Sequence, residues 1–596
     1  MGGSWRRKGR SHGPIAGAVL ATALAAAPSA AAIEFTGLEG ELRGRLDTTL
    51  TVGAALRVQD RDPALIGRAN TGTAPSVNID DGNLNFDRGD FTSLAATVVH
   101  ELDLGWRNLG FFGRVLYFYD AAIMTLEPAR TEFSDQAEDR AGRAIELLDA
   151  YATADLELAQ RPVTLRGGNM VLNWGESTFI QNGINVINPI DVSRVRTAGA
   201  QIRDALQPVP IVDVDVGLGA GLSLEAFYQF AWRKTELEPA GTFFSTNDFI
   251  SPGGRRVFLG FGAIPDVPVP PPGANPPLGT FVPRGPNDNA EGPQFGLAVR
   301  YLAEALGSTE LGLYYVRHHS RLPLISARTG TLEGLLAGDY TRSARYFVEY
   351  PEDIDLFGAS FNTAIGAGGP AVQGEISYRI GQPLQVDDVE LLYAGLSPVD
   401  PFLPAPIFGQ SQLGGFGFEE TIRGFRRKNV VQAQIGATQL LGPQLGANQL
   451  LLVGETGATW IPGLPPKGEL RFDGPGTFTS GNPLFTAAGV QPETTTDGFA
   501  DAFSWGYRLL ARADYLGAIG PVNLSPQIAF AHDVGGTTPL PLGNFVEGRK
   551  AITLTVAATY LSTLRGEVSY TSFFGGGDFN LLKDRDFVSL SLSWAF

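Results

Sequence analysis

Apolar residues recur at every second position through much of this chain, a period that specifies strands with one apolar face. In residues 41–58, Leu42, Leu46, Leu50, Val52, Ala54, Leu56 and Val58 take one face, and Arg43, Arg45, Asp47, Thr49, Thr51 and Arg57 take the other. In residues 222–232, Leu222, Leu224, Ala226, Tyr228, Phe230 and Trp232 oppose Ser223, Glu225 and Gln229. In residues 372–380, Val372, Ile376, Tyr378 and Ile380 oppose Gln373, Glu375, Ser377 and Arg379. Ile552, Leu554, Val556, Ala558 and Tyr560 lead through a short turn at residues 561–563 into Leu564, Val568 and Tyr570. The last stretch, 586–596, puts Val588, Leu590, Leu592, Trp594 and Phe596 on one parity and Phe587, three serines and Ala595 on the other. Charged residues opposite a continuous apolar face imply a polar interior and an apolar exterior, the inverse of a soluble sandwich. The first of these strands is also longer than the about 9–11 residues a tilted strand needs to cross a bilayer.

The remaining pattern supports the same layout. Residues 260–289, 397–415 and 461–496 are rich in Pro and Gly and read as long loops, because proline cannot donate to a sheet ladder. Alternating short turns and long loops is the plan of a transmembrane antiparallel up-and-down β-barrel, and residues 33–596 accommodate about 16–18 strands. Residues 135–148 predict a helix with Ala141, Ala144, Leu147 and Leu148 on one face. Residues 182–205 are polar and do not alternate. Together these place a helical or irregular segment within 120–204 that enters the lumen as a constriction or plug. Residues 1–32 predict a cleaved secretory signal peptide. A basic stretch from Trp5 to Arg10 precedes the apolar run of residues 15–27 and the small residues Ala30, Ala31 and Ala32. The domain plan is therefore a leader at 1–32 and one barrel at 33–596.

Composition narrows the chemistry. Cysteine is absent, which excludes disulfides, thiolate metal sites and cysteine nucleophiles. The net charge of −17 makes the chain a poor nucleic-acid ligand. Beyond the leader no GxSxG or HExxH spacing occurs, and His318 and His319 are strand neighbours pointing to opposite faces, so the chain reads as a non-enzyme. Residues 78–90 crowd oxygen ligands around a glycine turn. Asp80, Asp81, Asn83, Asp87 and Asp90 are the candidate Ca²⁺ set, against the alternative of an Asx-rich hydrogen-bonded turn. No other cofactor is expected. Trp174 reads as a strand-end aromatic before a tight turn, with the role of Glu176 left open. Parity makes Arg43, Arg45, Asp47, Glu225, Gln373, Glu375 and Arg379 the lumen-facing candidates, with charge pairing inside the wall as their plainest role.

Several stretches in order are familiar: RDPALIG (61–67), DDGNLNFDRGD (80–90), RGGNMVLNWGES (166–177), FYQFAWRKTELEPAGTFFSTNDF (227–249), VQGEISYR (372–379), FAHDVGG (530–536) and DRDFVSLSLSWAF (584–596). The set resembles the "domain of unknown function 1302" family of proteobacterial outer-membrane proteins. That resemblance implies one barrel in the Gram-negative outer membrane, in contact with its lipid. It also implies company: a periplasmic protein with a lipoprotein-carrier-like fold and an inner-membrane transporter of the resistance-nodulation-division superfamily. The expected function is passage of a hydrophobic solute or lipid, with a porin-like diffusion channel for small polar solutes as the alternative and an outer-membrane enzyme as a third reading. The aromatic C-terminus, with Val588, Leu590, Leu592, Trp594 and Phe596 in phase, looks like the signal read by the outer-membrane assembly machinery.

Overall fold

The computed structural model describes residues 32–275, 278–366 and 368–596, so the expected leader lies almost wholly outside the described residues. Eighteen strands form the barrel. They are β1 (Leu42–Arg57), β2 (Phe91–Trp106), β3 (Leu109–Asp120), β4 (Arg143–Leu158), β5 (Arg161–Met170), β6 (Val209–Gly219), β7 (Leu222–Gln229), β8 (Gln294–Ala303) and β9 (Thr309–His318). The second half comprises β10 (Ile354–Ala364), β11 (Ala371–Gln385), β12 (Phe425–Leu441), β13 (Gln449–Trp460), β14 (Phe503–Ile519), β15 (Val522–Gly535), β16 (Arg549–Tyr560), β17 (Leu564–Gly575) and β18 (Phe587–Ala595). Each strand pairs antiparallel with its sequence neighbours. β18 closes the sheet onto β1, with Thr49 opposite Ala595 and Arg57 opposite Phe587. A short strand, Ile33–Gly37, covers the edge of β1 that β18 does not reach, setting Ile33 opposite Leu46. Among the described residues no helix is long and apolar enough to cross a membrane.

One end of the barrel carries tight turns. Ala159 and Gln160 join β4 to β5 with both φ angles positive, at 51° and 62°, so the turn matches the twist of the flanking strands. The other end carries the long connections. The outer surface is apolar at mid-height, with Leu313, Ile376, Leu509, Leu554 and Val568 exposed. Exposed aromatics ring both margins: Trp106, Tyr301 and Tyr560 toward the turns, and Tyr119, Tyr228, Trp460 and Phe503 toward the loops. This belt between two aromatic girdles faces lipid. Arginine in place of Leu554, at the middle of β16, should therefore destabilise the barrel by about 2–4 kcal/mol, while arginine in place of its lumen-side neighbour Thr553 should cost little. Urea unfolding from lipid vesicles measures the difference, and equal costs would invert the assigned faces.

Two boundaries differ from the sequence reading. The helix expected over residues 135–148 is reduced to Asp135–Ala137 and a π-type turn at Glu138–Gly142, and from Arg143 the chain is strand. Pairing of Tyr117 with Ile145 and Phe118 with Ala144 overrides local helix preference. Leu147 and Leu148, expected on one face, point to opposite faces: Leu147 is 59% exposed and Leu148 1%. The strand expected to reach Trp232 ends at Gln229. Trp232 instead packs on Tyr350 among the loops, with ring centroids 4.9 Å apart.

Candidate lumen constriction and axial chamber

The connection between β5 and β6, residues 171–208, does not leave the barrel. Parts of it touch β11, β12 and β13, across the barrel from its own flanking strands, so it crosses the lumen. Two wall carboxylates hold its first half. Glu455 accepts the backbone N–H groups of Thr178, Phe179 and Ile180 at 2.8, 2.7 and 2.7 Å. Glu375 accepts those of Ile184, at 2.8 Å, and Glu176. Arg379 donates to the carbonyl oxygens of Asn182 and Gly183, and Gln432 to that of Gln181 at 2.6 Å. Gly183 passes so close to Glu375 that any side chain there would collide with the carboxylate. Ionised acceptors for backbone N–H groups are among the stronger hydrogen bonds.

Apolar packing completes the anchor. Trp174 lies against Phe227 and Tyr314, with centroids 5.0 and 5.8 Å away, and joins Ile184, Ile187, Val316 and Leu356 in a core inside the barrel. The second half of the infold is held by ion pairs: Arg194 with Glu146 at 2.9 Å, Arg203 with Glu101 at 2.8 Å and Asp204 with Arg114 at 3.5 Å. Its glycine turn at Gly199 approaches Thr51 and Ser591. The lumen is thus narrowed by the irregular run that lacks alternation, not by the predicted helix. Part of the wall from β16 to β18 carries small hydroxylic side chains. Thr553 meets Thr571 at 3.0 Å and Ser569 meets Ser589 at 2.7 Å, all facing the lumen.

A cavity of about 370 Å³ lies above the infold. Ile79, Phe249, Leu322, Leu392, Phe478, Leu540 and Leu581 line it, one from each of seven long connections around the rim. Connections from so many directions meet only near the barrel axis. Leu392 comes from α1 (Asp388–Leu396), capped by Asp387, whose side chain accepts from Val389 and Glu390. The lining is mostly apolar but includes Asp388 and Asp473. Burial pushes the Asp388 carboxyl up to about 6 and that of Asp473 well above the ordinary carboxylate range. The chamber and the infold share supports. Leu237 lines the cavity, while its neighbour Glu238 pairs with Arg196 at 3.7 Å.

Most parity candidates are engaged in pairs. Arg45 pairs with Asp47 at 2.7 Å along its own strand, and Arg43 is exposed near the turn end. Glu225 bridges Arg166 and Arg300 at 3.2 and 2.5 Å. Gln373 donates to Thr178 at 3.1 Å, so Gln373, Glu375 and Arg379 meet around the infold. Sequence reasoning missed Glu455. Its only signal was a lone acid opposite the lipid parity of Leu452 and Trp460. The five residues proposed for Ca²⁺ do not converge. Asn83 donates to Asp584 at 2.7 Å, Asp87 pairs with Arg61 at 2.9 Å and Asp90 accepts from the Asp87 N–H at 2.7 Å. The helical turn Asp81–Leu84 sends these side chains in different directions. Asp80 and Asp81 do meet, and the third carboxylate is Asp248. In β18, Val588, Leu590, Leu592 and Trp594 share the parity opposite the lumen serines, and Phe596 follows the last strand residue.

Fold and infold together define a transmembrane β-barrel whose lumen is constricted by one of its own connections. The chain belongs to the family described as "Protein of unknown function (DUF1302)", which matches residues 13–596. No curated protein sequence matches it. Similar solved structures include OccAB4 of Acinetobacter baumannii, with 11% identity, TM-score 0.40 and coverage of 93% of this chain and 98% of that one. A BenF-like porin of Pseudomonas fluorescens Pf-5 has 10% identity, TM-score 0.40 and the same coverages of 93% and 98%. OccK1 (OpdK) of Pseudomonas aeruginosa has 10% identity, TM-score 0.38 and coverages of 93% and 98%.

Proposed function

We propose that this barrel is an outer-membrane conduit for a predominantly apolar solute. The solute would be received in the axial chamber and passed along the hydroxylic wall beside the infold. The observation that carries this reading is the chamber itself, about 370 Å³ with a mainly apolar lining. Apolar pockets with a few placed polar groups are the usual form of small-molecule sites. Asp388 and Asp473, held toward the protonated form by burial, would offer hydrogen bonds to a polar end of the solute. The partners fit the two ends: the assembly machinery and lipid for the barrel, and a periplasmic lipid carrier with its resistance-nodulation-division transporter for the turn side.

One observation favours a second reading. The hydroxyl pairs along β16–β18 would suit small polar solutes and a porin-like diffusion channel. Planar-bilayer recording separates the two. The conduit predicts little steady conductance from the purified protein, and a porin predicts a stable, large, ion-selective one. A binding experiment tests the chamber directly. Glutamate in place of Leu392 should weaken retention of an apolar fluorescent naphthylamine by about tenfold, the scale of one lost apolar contact plus a buried charge. Unchanged retention would remove the chamber from the path.

A further inference from the structure

The geometry points to a divalent-cation site, suited to Ca²⁺, formed by Asp80 and Asp81 of the β1–β2 connection and Asp248 of the β7–β8 connection. One carboxylate oxygen from each lies within 4.8 Å of the others. Asp80 is fully buried. Its Oδ2 accepts from the Gly67 N–H at 2.8 Å and from Asn70 at 2.9 Å. Among the described residues its Oδ1 has no hydrogen-bond partner, and neither has Oδ1 of Asp248. Asp248 uses its other oxygen to accept from the Asp81 N–H at 3.2 Å, and Asp81 Oδ1 accepts from Thr131 at 2.7 Å. Each carboxylate is therefore oriented by one oxygen, and on Asp80 and Asp248 the other stays free.

The surrounding charge does not balance three acids. The cations that act on the cluster are Arg130, already paired with a fourth carboxylate, Asp266, and Arg585, which sits against Asp584 at 3.3 Å. Burial raises the Asp80 carboxyl to about 7 and Asp81 to about 6, and both acids add to the upward shift of Asp248. Two free, buried oxygens in an uncompensated acidic cluster match the demand of Ca²⁺ for oxygen ligands with negative charge. The site also has a structural consequence. Asp248 donates its backbone N–H to the Asn78 carbonyl at 2.9 Å, and both Asn78 and Asn247 line the axial chamber. A bound cation would clamp two walls of the chamber together from behind.

The test uses the full chain, purified in detergent, stripped with chelator and titrated calorimetrically with calcium chloride. One saturable site per chain is expected. Asp248→Asn and, independently, Asp80→Asn should each weaken binding by at least tenfold, while Asp87→Asn should leave it unchanged. Without calcium, Asp248→Asn should melt no lower than the parent, because a neutral amide of the same shape replaces a carboxyl that burial and its two acidic neighbours disfavour as an anion. Calcium should raise the melting temperature of the parent and of Asp87→Asn, and at the same concentration should raise those of Asp248→Asn and Asp80→Asn much less. No saturable binding by the parent at millimolar calcium chloride would overturn the site. So would parental affinity in folded Asp248→Asn or Asp80→Asn, or loss of binding in Asp87→Asn.

Discussion

Removing the Glu375 and Glu455 carboxylates together should turn a quiet barrel into an open one. The double alanine variant leaves five infold N–H groups without the acceptors they now share, three from Glu455 and two from Glu375. A buried polar group stripped of its partner costs about 1–3 kcal/mol. Five such losses exceed what the Trp174 core and the ion pairs of the second half are placed to offset near residues 176–184. The barrel wall itself loses no strand pairing, because both carboxylates project from its inner face. The expected result is a several-fold rise in single-channel conductance with the folded barrel retained, read in planar bilayers beside heat-modified gel migration. Glu455→Gln alone keeps one acceptor oxygen and should give only brief openings. A double variant with the parental conductance would show that the two carboxylates do not hold the constriction.

Deleting Phe596 should have the second large effect, on assembly. Phe596 closes the β18–β1 seam. Its N–H donates to the Thr48 carbonyl at 2.9 Å, and its carbonyl accepts from the Thr48 N–H at 2.7 Å. Its ring lies 4.3 Å from that of Trp594, extending the outward row of Val588, Leu590 and Leu592 by one aromatic. The truncated chain should lose most of its folded, membrane-inserted form, assayed by cell fractionation and gel migration. Normal insertion would strip the residue of its role as an assembly signal and leave the barrel architecture untouched.

The barrel was legible because alternation is local. Leu50, Val52 and Ala54 against Thr49, Thr51 and Gly53 say which face is lipid whatever the partner strand. Alternation says nothing of what fills the inside. Phe227, Tyr314, Val316 and Leu356 are apolar residues on the polar parity, and only the infold explains them. Glu375 and Arg379 were placed by parity, but their bonds to backbone groups near residues 176–184 depend on where a long irregular segment goes. Asp248 was beyond reach for the same reason, since its partners Asp80 and Asp81 lie in a different connection. Residues 143–148 misled because Ala, Glu and Leu favour helix locally while pairing with β3 decides the outcome.

The short strand Ile33–Gly37 carries a consequence for the order of events in assembly. It shields β1 only from Leu42 to Leu46, whereas β1 from Thr49 to Arg57 waits for β18. Among the barrel strands, the first to be synthesised is thus completed by the last, and loop closure over such a separation is slow. Until β18 arrives, β1 presents the stretch from Thr49 to Arg57 as an unpaired edge on that side. The short N-terminal strand covers the rest of that edge, so the part of β1 open to early pairing is the part that β18 later fills.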